Sequence, residues 1–281
     1  MSSEEGGTVS GEFSGNLLNK YNGIREYHTK EYFEKYSRFL RWRKNEHILD
    51  VGCGTGDMSK KYIYPLLPAD FSRFVCSDVS RALVQETEKS FEDNPKVIFK
   101  TLDIAGDMLG HKKSAYDHIF SLWCLMWIKD QEKAFKNIYD LLTPGGECFL
   151  FFVADHNLID ILYDLAESLK WKKYIHDPKE FYPFPYRNDP KPTETVYNIM
   201  RSLNFENINI HLEKTSFMFK SREEFQGFLK ALPNPLTMMT PDEQEEYLNE
   251  AVDLAEKKYL IIGESNEKKL RGRLLVVLGR K

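Results

Sequence analysis

Leu49-Asp50-Val51-Gly52-Cys53-Gly54-Thr55-Gly56 closes an apolar strand that begins at His47 and breaks into three alternate glycines, with an acid two places before the first. Glycine reaches positive φ without steric cost and removes the side chain between the main chain and whatever lies against it. A turn of this composition after a buried strand brings bare backbone against a bound nucleoside.

On either side, strand and helix patterns alternate. Tyr32, Phe33, Tyr36, Phe39 and Leu40 recur at helical spacing, predicting an amphipathic helix that ends before Asn45 and packs over the glycine turn. His47 to Val51, Arg73 to Ser77, Lys96 to Leu102, Tyr116 to Leu122 and Glu147 to Ala154 read as strands, and Ala134, Phe135, Ile138, Leu141 and Leu142 mark the clearest helix between them. Such alternation predicts an α/β fold, a doubly wound parallel sheet covered on both faces. Thr143-Pro144-Gly145-Gly146 is expected to end that helix and turn the chain into the fifth strand.

Two stretches break the alternation. From about 155 to 192, a helical pattern through Leu158, Ile161, Leu162, Leu165 and Leu169 gives way to a proline-rich run carrying Phe181, Tyr182, Phe184 and Tyr186. From about 221 to 265, a second insertion separates two further strands, Asn207 to Leu212 and Arg273 to Leu278. Both are expected as ordered caps above the strand ends. Residues 1–15, rich in Ser, Gly and Glu, are expected to be flexible, with 16–281 forming a single domain.

Composition narrows the partners. The 281 residues are 42% hydrophobic, enough to close one sizeable core, and the net charge of −4 is spread with both signs mixed. No basic surface for nucleic acid is advertised, no run approaches the ~18 apolar residues of a membrane span, and the N-terminus lacks the apolar core of a signal peptide. The expected partner is a small molecule, with no nucleic acid and no membrane, in the cytoplasm, for a monomer or homodimer. Cys53, Cys76, Cys124 and Cys148 lie in apolar stretches without CxxC spacing and are expected to be reduced and buried. His28, His156 and His176 are isolated and read as structural, and no metal site is indicated.

In an open parallel sheet, ligands bind beyond the carboxyl ends of the strands, where the strand order reverses. Gly52, Cys53, Gly54 and Gly56 leave the first strand there, Asp78 and Val79 the second, and Asp103 and Ile104 the third, while Ser121 sits near the end of the fourth. A carboxylate after the second strand suits the two ribose hydroxyls, and one after the third can accept from an adenine amine. Asp78 could instead cap the following helix, a role Ser80 could equally fill. The turn is GxGxG and lacks the third glycine of the dinucleotide fingerprint. An anionic Asp50 beneath it repels a pyrophosphate and favours an ammonium or sulfonium. The expected cofactor is therefore S-adenosylmethionine, and a nicotinamide dehydrogenase is the weakest alternative.

DVGCGTG at 50–56, SDVS at 77–80, LDI at 102–104, the fourth-strand segment and LLTPGGECFLFF at 141–152 together resemble the ordered motifs of class I methyltransferases over about Asn45 to Ala154. That resemblance implies a Rossmann-like seven-stranded sheet whose last two strands form an antiparallel pair. FSLWCLMWIKDQEKAFKNIYDLL at 120–142 with LDIAGD at 102–107 is similar, more narrowly, to the arthropod juvenile hormone acid O-methyltransferases, which esterify sesquiterpenoid acids such as farnesoic acid. The chain departs from that narrower pattern at Met126, where the family usually has a histidine before the tryptophan, and in the first helix at Arg25, in place of the family's glutamine.

Methyl transfer to a carboxylate asks mainly for positioning, because an acid with a pKa of about 4.3 is already ionised at neutral pH. Ser121 to Ile128 holds no carboxylate or imidazole to serve as a base. Arg25 could fork onto the acceptor carboxylate, or be a solvated surface arginine. Trp127 is expected beside the reacting centre, and Trp123 and Met126 as walls of an apolar cavity, or else all three belong to plain core. Trp171, Phe181 and Tyr182 are expected to line a lid over the acceptor tail, or to be tucked into core. Methylation of an amine or hydroxyl, and cofactor binding without turnover, stay open as alternatives.

Overall fold

The computed structural model describes residues 13–91, 94–262 and 268–281, so most of the stretch expected to be flexible, and the end of the second insertion, lie outside the described residues. Five strands, β1 (His47–Val51), β2 (Arg73–Asp78), β3 (Val97–Thr101), β4 (Tyr116–Leu122) and β5 (Leu142–His156), run parallel. They are followed by β6 (Glu206–Met218), a two-residue β7 (Ile261–Ile262) and β8 (Lys268–Arg280). The order across the sheet is β3-β2-β1-β4-β5-β8-β6, with β7 paired to β8 at the side. β8 is antiparallel to both of its long neighbours. This is the expected Rossmann-like seven-stranded sheet, with β7 added beside it. Its central strands are buried on both faces, as their uninterrupted apolar runs require: Ile48, Leu49, Ile119, Phe120, Leu150 and Leu274 through Val277 are all inaccessible or nearly so.

The strand order reverses between β1 and β4, which opens a crevice at their carboxyl ends. α1 (Gly15–Lys20) and α2 (Gly23–Ser37) precede the sheet, α3 (Arg81–Ser90) follows β2, and α4 (Gln131–Leu141) follows β4. Ser80 caps α3 by accepting from Leu83 N, and Asp130 caps α4 by accepting from Lys133 N. The first insertion holds α5 (Asn157–Glu167) and α6 (Pro178–Phe181), α7 (Pro192–Ser202) leads into β6, and the second insertion holds α8 (Arg222–Ala231) and α9 (Pro241–Leu254). α9 opens with a Thr240–Glu243 capping box and Pro241 in its first turn, the pattern that favours a helix start.

Three details differ from the sequence reading. Thr143 to Gly146 does not lie between helix and strand but inside β5, as a bulge where the pairing with β4 jumps from Tyr116–Leu142 to His118–Glu147. Gly145 takes φ +76 there. Second, β5 runs two residues and β6 six residues beyond their expected ends, and the two stand together past the sheet edge, since His156 pairs with Gly272 and Phe217 with Leu270 on the same β8. The polar run His211 to Thr215 hid this extension because β6 is an edge strand that is only half buried. Third, Phe13 packs edge-on against Trp127, 5.1 Å between ring centres, and Ser14 N donates to Ala231 O. α1 thereby docks on α8, where Gly227 leaves room for the Tyr21 ring; a Cβ there would lie 2.1 Å from it.

Candidate functional site

The crevice opens into one cavity of about 1390 Å³. At one end stands the glycine turn. Gly52, Gly54 and Gly56 take φ +74, +59 and +80, conformations L side chains resist. Gly52 N and Cys53 N both donate to Ser77 O, at 2.7 and 2.9 Å, tying the turn to the end of β2. Each glycine answers a different demand. A Cβ at Gly52 would lie 2.3 Å from Cys124 Sγ, and one at Gly56 2.6 Å from Thr87 Cγ2 on α3, whereas one at Gly54 would meet nothing within 4 Å. Gly54 thus presents open backbone to the cavity, the surface a nucleoside-bearing ligand needs. The Cys53 thiol turns away, 3.6 Å from Thr87 Oγ1, and its burial pushes its pKa well up.

The acids surround this turn. Asp78 Oδ2 accepts from Gly54 N and Oδ1 from Ser80 N, both at 2.9 Å. Ser80 does cap α3, but Asp78 also holds the turn to the start of that helix, so it has a structural role that the sequence reading underrated. Burial raises its pKa against these hydrogen bonds. Val79 beside it is half exposed and lines the cavity, as do Asp103, whose Oδ1 accepts from Ala105 N at 2.9 Å, and buried Ile104. Asp50 is buried under the turn with Ser59 Oγ donating to it; desolvation, with Asp78 and Asp57 adding repulsion, pushes its pKa up to about 7. Ser121 is placed differently from expectation. Its hydroxyl donates to Val51 O at 2.9 Å, tying β4 to β1, and it is not among the residues lining the cavity.

Arg25 is neither solvated nor alone. It lines the cavity with its guanidinium mostly buried, 3.4 Å from Asp57 Oδ2, and its Nε has no partner. Burial pulls its pKa down while Asp57 opposes the shift. Asp57 is also bonded by Asn22 Nδ2 and Thr55 Oγ1, and Thr55 donates to Asn19 as well. This network fastens α1 and α2 over the glycine turn.

Beyond the turn, the wall becomes apolar. Trp123, Met126 and Trp127 line it, joined by Phe13, Leu18, Phe184, Phe217, Phe228 and Leu232. Trp123 takes φ +62 as the chain leaves β4, held by Trp123 N to Phe151 O at 2.7 Å and by its indole N–H to Thr29 Oγ1 at 2.8 Å. Such strain in a non-glycine residue persists only where several contacts fix it. Trp127 lies edge-on between Phe13 and Phe184. Charge gathers elsewhere on the wall, as a Lys129–Glu180 pair between the β4 loop and α6 and a Lys133–Asp107 pair at 3.0 Å.

Three expected tail contacts are not there. Trp171 donates to Glu250 Oε2 at 2.8 Å and meets Tyr247 edge-on, so it binds the first insertion to α9. Tyr182 is fully buried and its carbonyl accepts from Tyr163 OH, with Phe181 packed on its ring. None of the three lines the cavity. They are the core of the cap, and from that segment Phe184 and Glu180 reach the cavity instead. His156, read from sequence as structural, does line it. Its Nδ1 caps α5 by accepting from Leu158 N at 2.9 Å, while Nε2 is buried without a partner. His28 stays structural, bonded to Thr215, and His176 is exposed. All four cysteines are free, and no group of three or more metal-ligating side chains occurs among the described residues.

A family model described as a methyltransferase domain matches residues 49–148. The chain is 28% identical over 275 residues to juvenile hormone acid O-methyltransferase of Bombyx mori, covering 94% of this chain and 96% of that one. It is 27% identical over 255 residues to the enzyme of the same name from Drosophila melanogaster, covering 89% and 85%. Among solved structures, a putative methyltransferase from Bacillus halodurans C-125 superposes with a TM-score of 0.58 at 14% identity, covering 89% of this chain and 98% of that one, which speaks to the fold alone. With its sheet order, its glycine turn and these likenesses, the chain is a class I S-adenosylmethionine-dependent methyltransferase.

Proposed function

We propose that this methyltransferase esterifies the carboxylate of a hydrophobic small molecule, a sesquiterpenoid acid of the farnesoic or juvenile hormone acid kind. The observation that carries this reading is a single cavity that begins at the glycine turn and continues into an apolar chamber. At about 1390 Å³ it exceeds the ~300–1,000 Å³ usual for one ligand, leaving room for an acceptor beside a cofactor. The likeness to the two insect enzymes supports a carboxylate acceptor.

In this reading the backbone of Gly52, Cys53, Gly54 and Gly56 cradles S-adenosylmethionine, Asp78 and Val79 hold its ribose, and Asp103 and Ile104 its adenine. The cofactor, when bound, supplies an electrophilic methyl group on a sulfonium. The chain's own task is positioning and exclusion of water. Trp123, Met126 and Trp127 wall the reacting centre, and drying it favours a step in which opposite charges are neutralised. Arg25, its guanidinium shared with Asp57, offers the carboxylate an unpaired N–H without gripping it as a free arginine would. No base is required, and the imidazole on the chamber wall is a poor one, since burial pulls the His156 pKa down to about 3. Trp171, Phe181, Tyr182 and Ser121 take no direct part. The free, mostly buried cysteines support a reducing, cytoplasmic setting, and no described helix is long and apolar enough to cross a membrane.

A carboxylate acceptor makes a test of its own. With cofactor saturating and farnesoic acid as acceptor, kcat should be flat between pH 6 and 9, because the nucleophile is ionised throughout. A rate that climbs about tenfold per pH unit would mark a group that must first lose a proton, and no turnover of any acid would remove the proposal.

Cofactor affinity should vary with pH where kcat does not. Asp50 has a folded-state pKa of about 7 against an unfolded value of about 3.9. Between those values the folded form holds a proton that the unfolded form has released, so this group's contribution to stability declines as pH rises through the window. Above it, the free protein keeps an uncompensated buried charge. A bound cation opposes that charge and drives off the proton, so S-adenosylmethionine should bind more tightly, and raise the melting temperature further, at pH 8 than at pH 6. Equal shifts at both pH values would separate Asp50 from the cationic end of the ligand.

A further inference from the structure

Past the sheet edge, β5 and β6 carry His156 and Phe217 into the back wall of the chamber. Phe151 on β5 pairs with Leu122, the last residue of β4. From Phe151 to His156 the register on β8 moves four residues, from Val276 to Gly272, across a shift after Val153, so at ~3.3 Å per residue β5 extends about 13 Å beyond the level at which the glycine turn begins. The imidazole therefore stands on the chamber wall above the level of the glycine turn, packed on Phe217, whose ring lies 6.4 Å from that of Trp123 between centres.

The ring is held on three sides. Nδ1 accepts from Leu158 N, which leaves the proton of the neutral imidazole on Nε2. Phe217 meets the ring edge-on at 3.8 Å between centres. Gly272 on β8 makes the space, since a Cβ there would lie 2.4 Å from His156 Cδ2. The residue is 4% exposed and Nε2 has no hydrogen-bond partner, an orphan that folded proteins rarely tolerate without a use. The other charged side chains on the cavity wall lie at the glycine turn, at Arg25 with its partner Asp57, on α3 as Arg81 and Glu86, at the α4 cap as Asp130, and in the ion pairs of Lys129 and Lys133.

We infer that His156 Nε2–H is a specificity donor that selects acceptors carrying an uncharged oxygen, such as an ether, epoxide or carbonyl, along the apolar skeleton and away from the methylated group. The inference rests on the chamber being the acceptor site and deepens that reading. A plain hydrocarbon tail leaves the donor unpaired, and a second carboxylate at this depth would find no free cation among the described residues of the back wall.

The test uses two acids of one carbon skeleton, a hydrocarbon and its ether analogue, and the corresponding pair of alcohols, titrated calorimetrically into protein saturated with S-adenosylhomocysteine. His156→Asn keeps an oxygen to cap Leu158 N–H and removes the distal donor; His156→Gln returns an amide N–H close to the Nε2 position. The unsubstituted protein should favour the ether by about tenfold, the worth of one buried neutral hydrogen bond. In His156→Asn the ratio should fall to about one, and His156→Gln should restore part of it. An equal ratio with and without the imidazole overturns the inference and leaves the carboxylate reading intact. A His156-dependent ratio among alcohols, with acids failing to bind, overturns the carboxylate reading and keeps the donor. If no probe binds, both fall.

Discussion

Asp78→Ala should weaken S-adenosylmethionine binding by about 100-fold or more and lower the melting temperature as well. Both carboxylate oxygens accept backbone N–H groups, from Gly54 and Ser80, and hydrogen bonds to a charged acceptor are worth ~1.5–3 kcal/mol each. Their outward lone pairs are the ones a ribose would use, so alanine removes the ligand's anchor and releases the turn that surrounds it. Asp78→Asn separates the two effects: it retains one backbone acceptor and should recover most of the melting temperature, yet little of the affinity. Calorimetry and thermal unfolding on the same preparations decide this. Unchanged affinity in Asp78→Ala would remove the residue from the site.

Gly52→Ala and Gly54→Ala should fail in different ways. At Gly52 a methyl group meets Cys124 Sγ and Cβ at 2.3 and 2.4 Å on a backbone at φ +74. Strain of ~1–2 kcal/mol for the left-handed conformation adds to ~1–3 kcal/mol of overpacking, so stability and binding fall together. At Gly54 the methyl group meets no protein atom within 4 Å and only the conformational strain applies. It stands, however, in the cradle itself, so affinity should fall at least tenfold with a melting shift of only a few degrees. Gly54→Ala binding the cofactor normally would place the ligand elsewhere in the cavity.

These expectations show what the sequence made legible. That the glycine turn, Asp78 and Asp103 stand on the cavity wall was legible because each position depends on a local rule, either a backbone conformation only glycine adopts easily or a place at a strand's carboxyl end. The same rule misplaced Ser121, near the end of β4 but bonded across to Val51 O. The cap was harder to read. The proline-rich aromatic run left Trp171, Phe181 and Tyr182 as either lid contacts or core, because composition does not distinguish burial against α5 and α9 from burial against a ligand. Phe13, Phe184, Phe217 and Phe228 meet in one chamber from four distant segments, an arrangement no local pattern encodes. His156 was half legible: its capping nitrogen fits an isolated structural histidine, and its other nitrogen is understood only when the extended β5 is seen.

The most direct test of carboxyl methylation is an incubation with methyl-labelled S-adenosylmethionine and a set of lipophilic acceptors led by farnesoic acid, with the alcohol and amine of the same skeleton alongside, followed by extraction and identification of labelled products. Label in methyl farnesoate or another ester, and not in the ether or N-methyl products, is the predicted result. Label in the amine or alcohol product, or bound cofactor with no labelled ester from any acid, would contradict it.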